Sequence, residues 1–355
     1  MKSLFTILLT SAAFLCFSQE TLLWSDEFNG SGVPDPEKWS YDLGASGWGN
    51  NEIQNYTDSY QNARMEGGVL AIEAHKYGTS WTSARLQTNN KFEFKYGRVV
   101  FRAKLPRGSG TWPALWMLGE NFNTAGWPGC GEIDVMEHVG KNPGNVHVSL
   151  HTPSSHGNTV NTSWKYVIGF DTAFHTYQAN WTPEKIEFSI DSVLLYTYNP
   201  FFKNASTWPF DKPFFIIMNI AMGGNWGSDP QYETGGLKNG IDPALTMARM
   251  EIDYVRVYQD SSGSSSLDQP FENGNPQDFK NTIIAPNPTS GILQIDLPAG
   301  ILADGSLYNT VGERIHHFES ASDYVEIDMS VLNKGLYFIT LQSKGKYLTQ
   351  KIIVQ

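Results

Sequence analysis

Three carboxylate side chains lie within six residues of one another, at Glu132, Asp134 and Glu137. In a β-strand, Glu132 and Asp134 project from one face, while Ile133 and Val135 project from the other. Strict alternation would put Glu137 on the apolar face. One extra residue, inserted as a β-bulge, returns it to the carboxylate face, and bulges recur beside active sites. The spacing therefore predicts three acids crowded on one side of a single strand.

Crowded carboxylates have a chemical use, because mutual repulsion separates their pKa values and one stays ionised while another holds a proton. A retaining glycosidase needs such a pair, with carboxyl groups about 5–5.5 Å apart. The alternative is an edge strand with a solvated acidic face, where charges are common. The apolar and aromatic residues around the three acids disfavour that alternative, so the spacing indicates acid–base chemistry.

The acids lie in a region of short alternating segments, which extends from about Glu20 to Tyr258 and is interrupted by Gly, Asn and Pro. The clearest strand signals are residues 94–105, 185–194 and 250–258. We find no convincing amphipathic helix of ten or more residues. Many short strands over roughly 240 residues predict an all-β sandwich.

The segment with the three acids resembles the active-site strand of glycoside hydrolase family 16 in its bulged E-x-D-x-x-E form. The resemblance extends in order over most of the first domain, through residues 24–28, 47–52, 83–86, 110–118 and 250–258. It implies a β-jelly-roll sandwich of the concanavalin-like type, with a concave glycan cleft. It also implies that Glu132 is the nucleophile, that Glu137 is the acid and then the base, and that Asp134 hydrogen-bonds the nucleophile. No cofactor is expected for catalysis.

Two tryptophans of the segment 110–118 lie four residues apart, so Trp112 and Trp116 share one face of an alternating strand. Core packing is one interpretation; the resemblance places both at the cleft, against the sugar. Trp226 lies in a Gly-rich loop that cannot be a strand interior, where an aromatic side chain is often a ligand contact. His151, on the neighbouring strand, is expected either to border the acid–base residue or to be a structural histidine.

The resemblance assigns hydrogen bonds with glucose hydroxyls on the non-reducing side to Asn50, Glu52 and Arg85. Their alternative interpretations are a turn asparagine, a surface glutamate and an ion-paired arginine. Members of the family often carry a structural calcium, and the matching positions are Glu27 and Gly68, through backbone carbonyls, and the carboxylate of Asp253. Oxygen ligands are consistent with this hard cation, although three scattered residues form no motif of their own.

The N-terminus combines Lys2 with an apolar run and a following Ser18-Gln19, which predicts a secretory signal peptide. The run is too short to span a bilayer. Removal of this peptide leaves one cysteine, Cys130, and therefore no intramolecular disulfide. Cys130 is interpreted as a packed residue, because no base is placed to activate it.

The composition changes after the first domain. Residues 260–277 are polar, Ser- and Gly-rich and without periodicity, which is typical of a linker. Short strands follow, including residues 324–328, 335–342 and 347–354. Together with the segment 285–291, they resemble the type A sorting domain of the type IX secretion system. A small carbohydrate-binding module is the alternative, but all 11 tryptophans lie in the first domain.

These observations predict a β-jelly-roll catalytic domain followed by a small C-terminal β-sandwich domain. The predicted divisions are a signal peptide at 1–19, a catalytic domain at 20–259, a linker at 260–281 and a secretion-sorting domain at 282–355. The protein is therefore expected to be secreted or displayed at the cell surface, with the type IX secretion machinery as a partner.

The formal net charge is −11, from 36 acidic and 25 basic residues. Phosphate binding needs clustered Lys and Arg, and the sequence has no such cluster, which argues against nucleic acid and anionic membranes as partners. The expected partner is a β-glucan polysaccharide, and the expected state is a monomer.

The bulged spacing, the loop 47–52 and the segment 110–118 most resemble β-1,3-glucanases of the laminarinase type. The resemblance implies a retaining endo-glycosidase that hydrolyses β-1,3-glucosidic bonds, as in laminarin, by double displacement. Two alternatives stay open: a same-fold enzyme acting on mixed-linkage β-1,3-1,4-glucan or a marine galactan, and a non-catalytic lectin. Sulfated galactans call for more basic residues than the sequence offers, and the intact acids argue against a lectin.

Overall fold

The computed structural model describes residues 20–260, 279, 282–298, 303–309, 314–320, 322–343 and 346–355. The predicted signal peptide at 1–19 and most of the predicted linker at 260–281 lie outside the described residues. The chain divides into two compact units, Met1–Gly263 and Ser264–Gln355. No helix in the described parts is long and apolar enough to cross a membrane.

The first unit is built from strands. In chain order they are β1 (Glu20–Asp26), β2 (Ser40–Asp42), β3 (Gln54–Tyr56), β4 (Ala63–Glu66), β5 (Val69–Tyr77), β6 (Ser80–Ser83), β7 (Arg85–Gln87), β8 (Glu93–Phe94), β9 (Gly97–Lys104), β10 (Thr111–Gly119), β11 (Glu132–His138), β12 (Asn145–His151), β13 (Thr162–Tyr166), β14 (His175–Trp181), β15 (Ile186–Ile190), β16 (Val193–Tyr198), β17 (Phe214–Met222) and β18 (Met247–Asp260). The helices described between them are short: α1 (Phe122–Ala125), α2 (Gly224–Gly227) and a 3₁₀ turn at Pro230–Tyr232.

The strands of this unit form two sheets. One has ten strands in the order β16-β15-β14-β9-β18-β5-β6-β3, with β1 also on β18 and β4 also on β5. The other has eight strands in the order β13-β12-β11-β10-β17-β7-β2, with β8 also on β17. All strand pairs are antiparallel except the parallel pair β3–β6. The predicted all-β sandwich is therefore confirmed.

Apolar side chains from both sheets meet in one core. On β15, Ile186, Phe188 and Ile190 are buried and alternate with half-buried residues, as expected for a strand with one face toward the core. All nine residues of β17 are buried. The outer face of β17 contributes Phe215, Asn219 and Ala221 to the floor of a cleft. The core thus holds the eight-stranded sheet rigid beneath that cleft.

Two of the predicted strands are interrupted by turns. The segment 185–194 is a hairpin of β15 and β16, and Asp191 (φ 50°) and Ser192 (φ 64°) form its two-residue turn. Two successive residues with positive φ match the right-handed twist of a hairpin. The segment 94–105 is likewise divided between β8 and β9, and Tyr96 adopts a φ of 61° there. The alternation of polar and apolar residues continues through both turns, so this pattern alone did not reveal them.

The second unit contains seven strands: β19 (Ile283–Ala285), β20 (Ile292–Asp296), β21 (Asp304–Tyr308), β22 (Arg314–Glu319), β23 (Tyr324–Asp328), β24 (Gly335–Ser343) and β25 (Lys346–Val354). They form a three-stranded sheet, β19-β20-β23, and a four-stranded sheet, β22-β21-β24-β25. Leu293, Leu307 and Ile339 belong to its separate apolar core. The three strands predicted at 324–328, 335–342 and 347–354 are confirmed.

Candidate active site

A β-bulge in β11 places the three acids. Asp134 pairs with Ser149 and Glu137 with His147, so Val135 and Met136 together oppose a single residue of β12. The register against β10 shifts at the same point. Because of this insertion, Glu132, Asp134 and Glu137 all line the cleft, whereas Val135 and Met136 are buried in the core. The bulge predicted from the spacing of the acids is confirmed.

Each outer acid accepts a hydrogen bond from a tryptophan. The indole N–H of Trp112 donates to Oε1 of Glu137 at 3.0 Å. The indole N–H of Trp127 donates to Oε2 of Glu132 at 3.1 Å. Both bonds fix a carboxylate on a rigid sheet without neutralising its charge, so both carboxyl groups keep defined orientations toward the cleft.

His151 lies against the first two acids. Its Nε2 is 3.2 Å from Oδ2 of Asp134 and 3.6 Å from Oε1 of Glu132. The backbone N–H of Gly157 donates to Nδ1 of His151, so in the neutral ring the proton is on Nε2, the nitrogen that lies beside the acids. His151 is also close enough to Glu137 for its positive form to oppose the rise that desolvation causes in the pKa of Glu137, but its ionic contacts are with Asp134 and Glu132. The cross-strand partner of Glu137 is His147, because the bulge shifts the register by one residue.

Burial controls the electrostatics of the three acids. Desolvation, together with repulsion from Asp134, raises the pKa of both Glu132 and Glu137 to about 8. Desolvation also raises the pKa of Asp134 well above its usual value. A neighbouring charge makes each further ionisation harder, so the site retains protons at neutral pH. One carboxylate and one carboxylic acid can therefore coexist there, as acid catalysis with a nucleophile requires.

Tryptophan rings border the acids on β10 and α2. Trp112 and Trp116 both line the cleft, so the shared face predicted from their spacing is confirmed. Trp226 lies in α2, outside any strand, and its ring meets that of Trp112 edge-on at 5.5 Å. The indole N–H of Trp116 donates to Oδ1 of Asn219 at 2.8 Å. Aromatic faces of this kind suit the apolar faces of sugar rings.

Polar side chains occupy the cleft on the side of β7. The guanidinium of Arg85 lies between the rings of Trp48 and Trp116, 4.9 Å and 4.8 Å from their centroids, and pairs with Asp42 at 2.8 Å. Arg85 is therefore ion-paired, as its alternative interpretation expected. It also lines the cleft, as the resemblance implied.

Glu52 and Asn50 lie in the same part of the cleft. Glu52 accepts hydrogen bonds from the side chains of Gln54 at 2.6 Å and Asn50 at 3.3 Å. Burial raises the pKa of Glu52, and these hydrogen bonds oppose the rise. Glu52 does not fit the plain surface interpretation, because its carboxylate belongs to this hydrogen-bonded cluster. Asn50 lies in a turn, as its alternative interpretation expected, and its side chain also joins the cluster.

The residues of the cleft that sequence reasoning missed include Trp48, Trp127, His147 and Asn219. Trp127 precedes Glu132 by only five residues, and Trp48 lies within the matched loop 47–52, so position alone could have drawn attention to both. His147 and Asn219 gave no local signal, since their roles depend on strand pairing. Cys130 is buried, and desolvation raises its pKa to about 11, which confirms that it is a packed thiol.

The positions expected to hold calcium come together at β18. Asp26 pairs with Val255 and Leu70 with Ile252, which brings Glu27 and Gly68 beside Asp253. Backbone and carboxylate oxygens suit calcium. The carboxylates are not free, however: Asp253 pairs with Arg102, and Glu27 with Arg256. A cation held here would be coordinated by backbone carbonyls and by the carboxylate of Asp253, which it would share with Arg102.

Two family models match the chain. Residues 50–256 match the model described as glycosyl hydrolases family 16, and residues 283–355 match the secretion system C-terminal sorting domain. A β-glucanase of Rhodothermus marinus is 47% identical over 252 residues, which cover 67% of this chain and 85% of that protein. A glucan endo-1,3-β-glucosidase of Cryptopygus antarcticus is 36% identical over 281 residues, which cover 72% of this chain and 97% of that protein.

Solved structures agree with these relatives. A laminarinase from a Flavobacterium species superposes with a TM-score of 0.62 at 46% identity, over 67% of this chain and 100% of that one. A laminarinase from Rhodothermus marinus superposes with a TM-score of 0.62 at 45% identity, over 68% of this chain and 98% of that one. The expected β-jelly-roll sandwich is confirmed, and so is the resemblance of the C-terminal segment to a sorting domain.

Proposed function

This chain belongs to glycosyl hydrolases family 16, and on that premise we propose that it hydrolyses β-1,3-glucans by a retaining mechanism through Glu132 and Glu137. It is a glycoside hydrolase. The observation that carries the assignment is the bulged strand β11, which holds three acids in one cleft, Asp134 and Glu137 buried and Glu132 half-buried. Each outer acid has its own indole donor.

The reaction proceeds in two displacements. In the first, an oxygen of ionised Glu132 attacks the anomeric carbon while Glu137 gives its proton to the leaving glycosidic oxygen, so a glycosyl ester forms and the glycosidic bond breaks. In the second, Glu137 takes a proton from water, and the resulting nucleophile attacks the same carbon and releases Glu132. Two inversions retain the configuration. A sugar hydroxyl in place of water gives transglycosylation.

Asp134 and His151 act on the nucleophile. The buried carboxyl of Asp134 raises the pKa of Glu132 by repulsion, and the positive form of His151 opposes that effect. A proton held on Asp134 removes the repulsion, so Glu132 can ionise. Nε2 of His151 lies beside both Glu132 and Asp134, and a proton there stabilises whichever of the two is charged.

We assign β-1,3-glucan as the substrate class because the relatives described above are named for glucan or laminarin cleavage. Of the described residues that line the cleft, only Arg85 is a lysine or arginine, and it already pairs with Asp42. This disfavours sulfated galactans, although a keratan-sulfate endo-1,4-β-galactosidase of Sphingobacterium multivorum is 34% identical. Mixed-linkage glucan, which contains β-1,3 bonds, is a second candidate substrate.

We propose that Asn50, Glu52 and Arg85 bind glucose hydroxyls on the non-reducing side. Trp112 and Trp116 are proposed to stack on or border the sugar beside the cleaved bond, and Trp226 is proposed as a further ligand contact. Trp48 and Trp116 hold the Arg85 guanidinium from both sides. A fixed guanidinium presents its N–H groups to hydroxyls in a defined plane.

A product assay tests the function. The wild type should release short oligosaccharides from laminarin, and Glu132→Gln should release almost none. Activity only on mixed-linkage glucan or agarose would keep the mechanism and refute the substrate. Binding without cleavage of any polymer would identify a lectin.

Azide rescue tests the two roles. With an activated aryl glycoside, azide should replace the missing nucleophile in Glu132→Gly and give an α-glycosyl azide. In Glu137→Ala, the intact nucleophile still forms the ester, so azide should give a β-glycosyl azide. NMR of the anomeric proton distinguishes them, and the reverse pattern would exchange the roles of Glu132 and Glu137.

The C-terminal sorting domain directs export by type IX secretion to the cell surface or the extracellular space. We propose the divisions 1–19 for a signal peptide, 20–259 for the catalytic domain, 260–281 for a linker and 282–355 for the sorting domain, and a monomeric state. A chain truncated after Tyr258 should remain in the cell, and its normal appearance in the medium would refute the sorting role.

A further inference from the structure

The cleft follows one cross-strand row of residues. Each member is the register partner of the next, across all seven strands of the main path of the eight-stranded sheet: Asp42, Arg85, Asn219, Ala114, Glu137, His147 and Trp164. Directly paired residues of antiparallel strands project from the same face. The first six members line the cleft, so Trp164 on the edge strand β13 projects on the cleft side, at the end opposite Arg85.

The edge strand presents aromatic rings on this side. Trp164 pairs with His147 and Tyr166 pairs with Asn145. The side chains of Trp164 and Tyr166 are 56% and 58% exposed, whereas Ser163 and Lys165, on the opposite face of β13, are half-buried. The two largest apolar side chains of this strand therefore lie on its wetter face, which a strand stabilised only by core packing would not favour.

A continuous aromatic surface connects this edge with the catalytic acid. The ring of Trp164 is 6.3 Å from that of His147, the ring of His147 is 5.0 Å from that of Trp226, and Trp226 meets Trp112, whose indole binds Glu137. Strands are spaced about 4.8 Å apart, so Trp164, two strands beyond Glu137, lies roughly 10 Å from it. One or two pyranose rings bridge such a distance.

The ring of Tyr166 is also held in place. It packs over Gly144, where a Cβ atom would approach Cε2 of Tyr166 to 2.6 Å. Only glycine leaves room for the ring there. An exposed ring already ordered by its neighbours loses little conformational entropy when a ligand stacks on it.

We infer that Trp164 and Tyr166 form a binding site for the glucan units on the leaving-group side of the cleaved bond. The inference rests on the proposed function, which assigns the non-reducing side to Asn50, Glu52 and Arg85 at the other end of the row. The occupant is a continuous glucan chain, because the aromatic surface is an extension of the cleft and begins at the residue that protonates the leaving oxygen.

Substrates of different length test this site. Trp164→Ala and Tyr166→Ala are compared with Lys165→Ala, the matched control on the opposite face of β13. The kcat/KM values are measured on laminarin and on an aryl β-laminaribioside, whose aglycone is too short to reach Trp164. Product lengths from reducing-end-labelled laminarioligosaccharides, the Tm and the sedimentation coefficient complete the comparison.

Trp164→Ala should lower kcat/KM on laminarin about five- to tenfold and shift cleavage toward the labelled end, with kcat/KM on the aryl glycoside unchanged within twofold. Tyr166→Ala should have the same effects to a smaller degree. Lys165→Ala should change neither kcat/KM on laminarin nor the position of cleavage.

Two results for the variants overturn the inference: an unchanged kcat/KM on laminarin, and equal losses of kcat/KM on both substrates. Unchanged kinetics with an altered sedimentation coefficient identify a contact between copies instead. A wild type that cleaves no laminarin refutes the proposed function and this inference together, whereas an active wild type with unaffected variants refutes the inference alone.

Discussion

The indole N–H of Trp127 donates a hydrogen bond to Oε2 of Glu132 at 3.1 Å, although its ring remains 42% exposed. The ring also packs near His151 and His156, with centroids 5.7 Å and 5.3 Å away. Trp127 thus covers the proposed nucleophile from the solvent side and supplies a donor to its charged form. Because such a donor stabilises the carboxylate relative to the acid, this contact should affect the pH at which Glu132 becomes reactive.

Trp127→Phe should move the low-pH limb of kcat/KM to higher pH and lower kcat about tenfold. The variant keeps the ring but loses the N–H, so the pKa of Glu132 rises and a larger fraction is protonated. Trp39→Phe is the matched control, because its indole donates to Asp26 at 2.8 Å outside the cleft. It should lower the Tm and leave the pH limb in place. An identical pH profile in Trp127→Phe would exclude this role.

Glu137→Gln should stabilise the protein at pH 8 and have little effect at pH 4. Desolvation raises the pKa of Glu137 in the folded state to about 8. When the pH is below the unfolded-state pKa, near 4.5, the side chain is protonated and its burial does not destabilise the fold. This stability is lost as the pH rises through the folded-state pKa. The gain at pH 8 should be about 1–3 kcal/mol, less than the isolated shift implies because three acids share the site.

Thermal unfolding at the two pH values measures the effect of Glu137→Gln. The control is Glu233→Gln, because Glu233 pairs with Lys238 and has a lowered pKa, so this variant should show no gain at pH 8. A variant Glu137→Gln that is less stable than the wild type at pH 8 would contradict the electrostatic account.

Arg85→Lys should raise KM on laminarin about tenfold with little change in kcat. A lysine loses both the flat contact with Trp48 and Trp116 and the forked N–H geometry, while the acids on β11 stay in place. Arg98→Lys is the control, since Arg98 pairs with Glu20 and lies over Tyr258 at 4.5 Å on the other sheet. Steady-state kinetics separate the two constants, and a loss confined to kcat would contradict a binding role for Arg85.

Calcium should raise the Tm by a few degrees if Glu27, Gly68 and Asp253 hold it. A ligand bound only by the folded state stabilises that state in proportion to its saturation. EDTA should remove the increment in the wild type and in the control Asp211→Asn, whose carboxylate lies on the surface beside Lys212. Asp253→Asn should not respond to EDTA. A wild type with the same Tm in calcium and in EDTA would eliminate the site.

The sequence determined those features that depend on neighbours along the chain. The spacing of Glu132, Asp134 and Glu137 required a bulge if all three were to share a face, and the four-residue interval between Trp112 and Trp116 put both on one side of β10. These conclusions held because the side-chain direction of a strand alternates with period two. The same rule failed at Asp191 and Ser192, where a turn ends the strand although the alternation of polar and apolar residues continues.

Only the tertiary structure decided which residues meet across strands. The one-residue shift at Val135 gives Glu137 the cross-strand partner His147, whereas His151 pairs with Glu132. The row from Asp42 to Trp164 joins residues up to 177 positions apart along the chain, the separation of Asp42 and Asn219. Such pairings depend on the register of seven strands, and register is set by how both faces of each strand pack. No local pattern carries that information, so the sequence specified the chemistry, and the packed sheet decided its geometry.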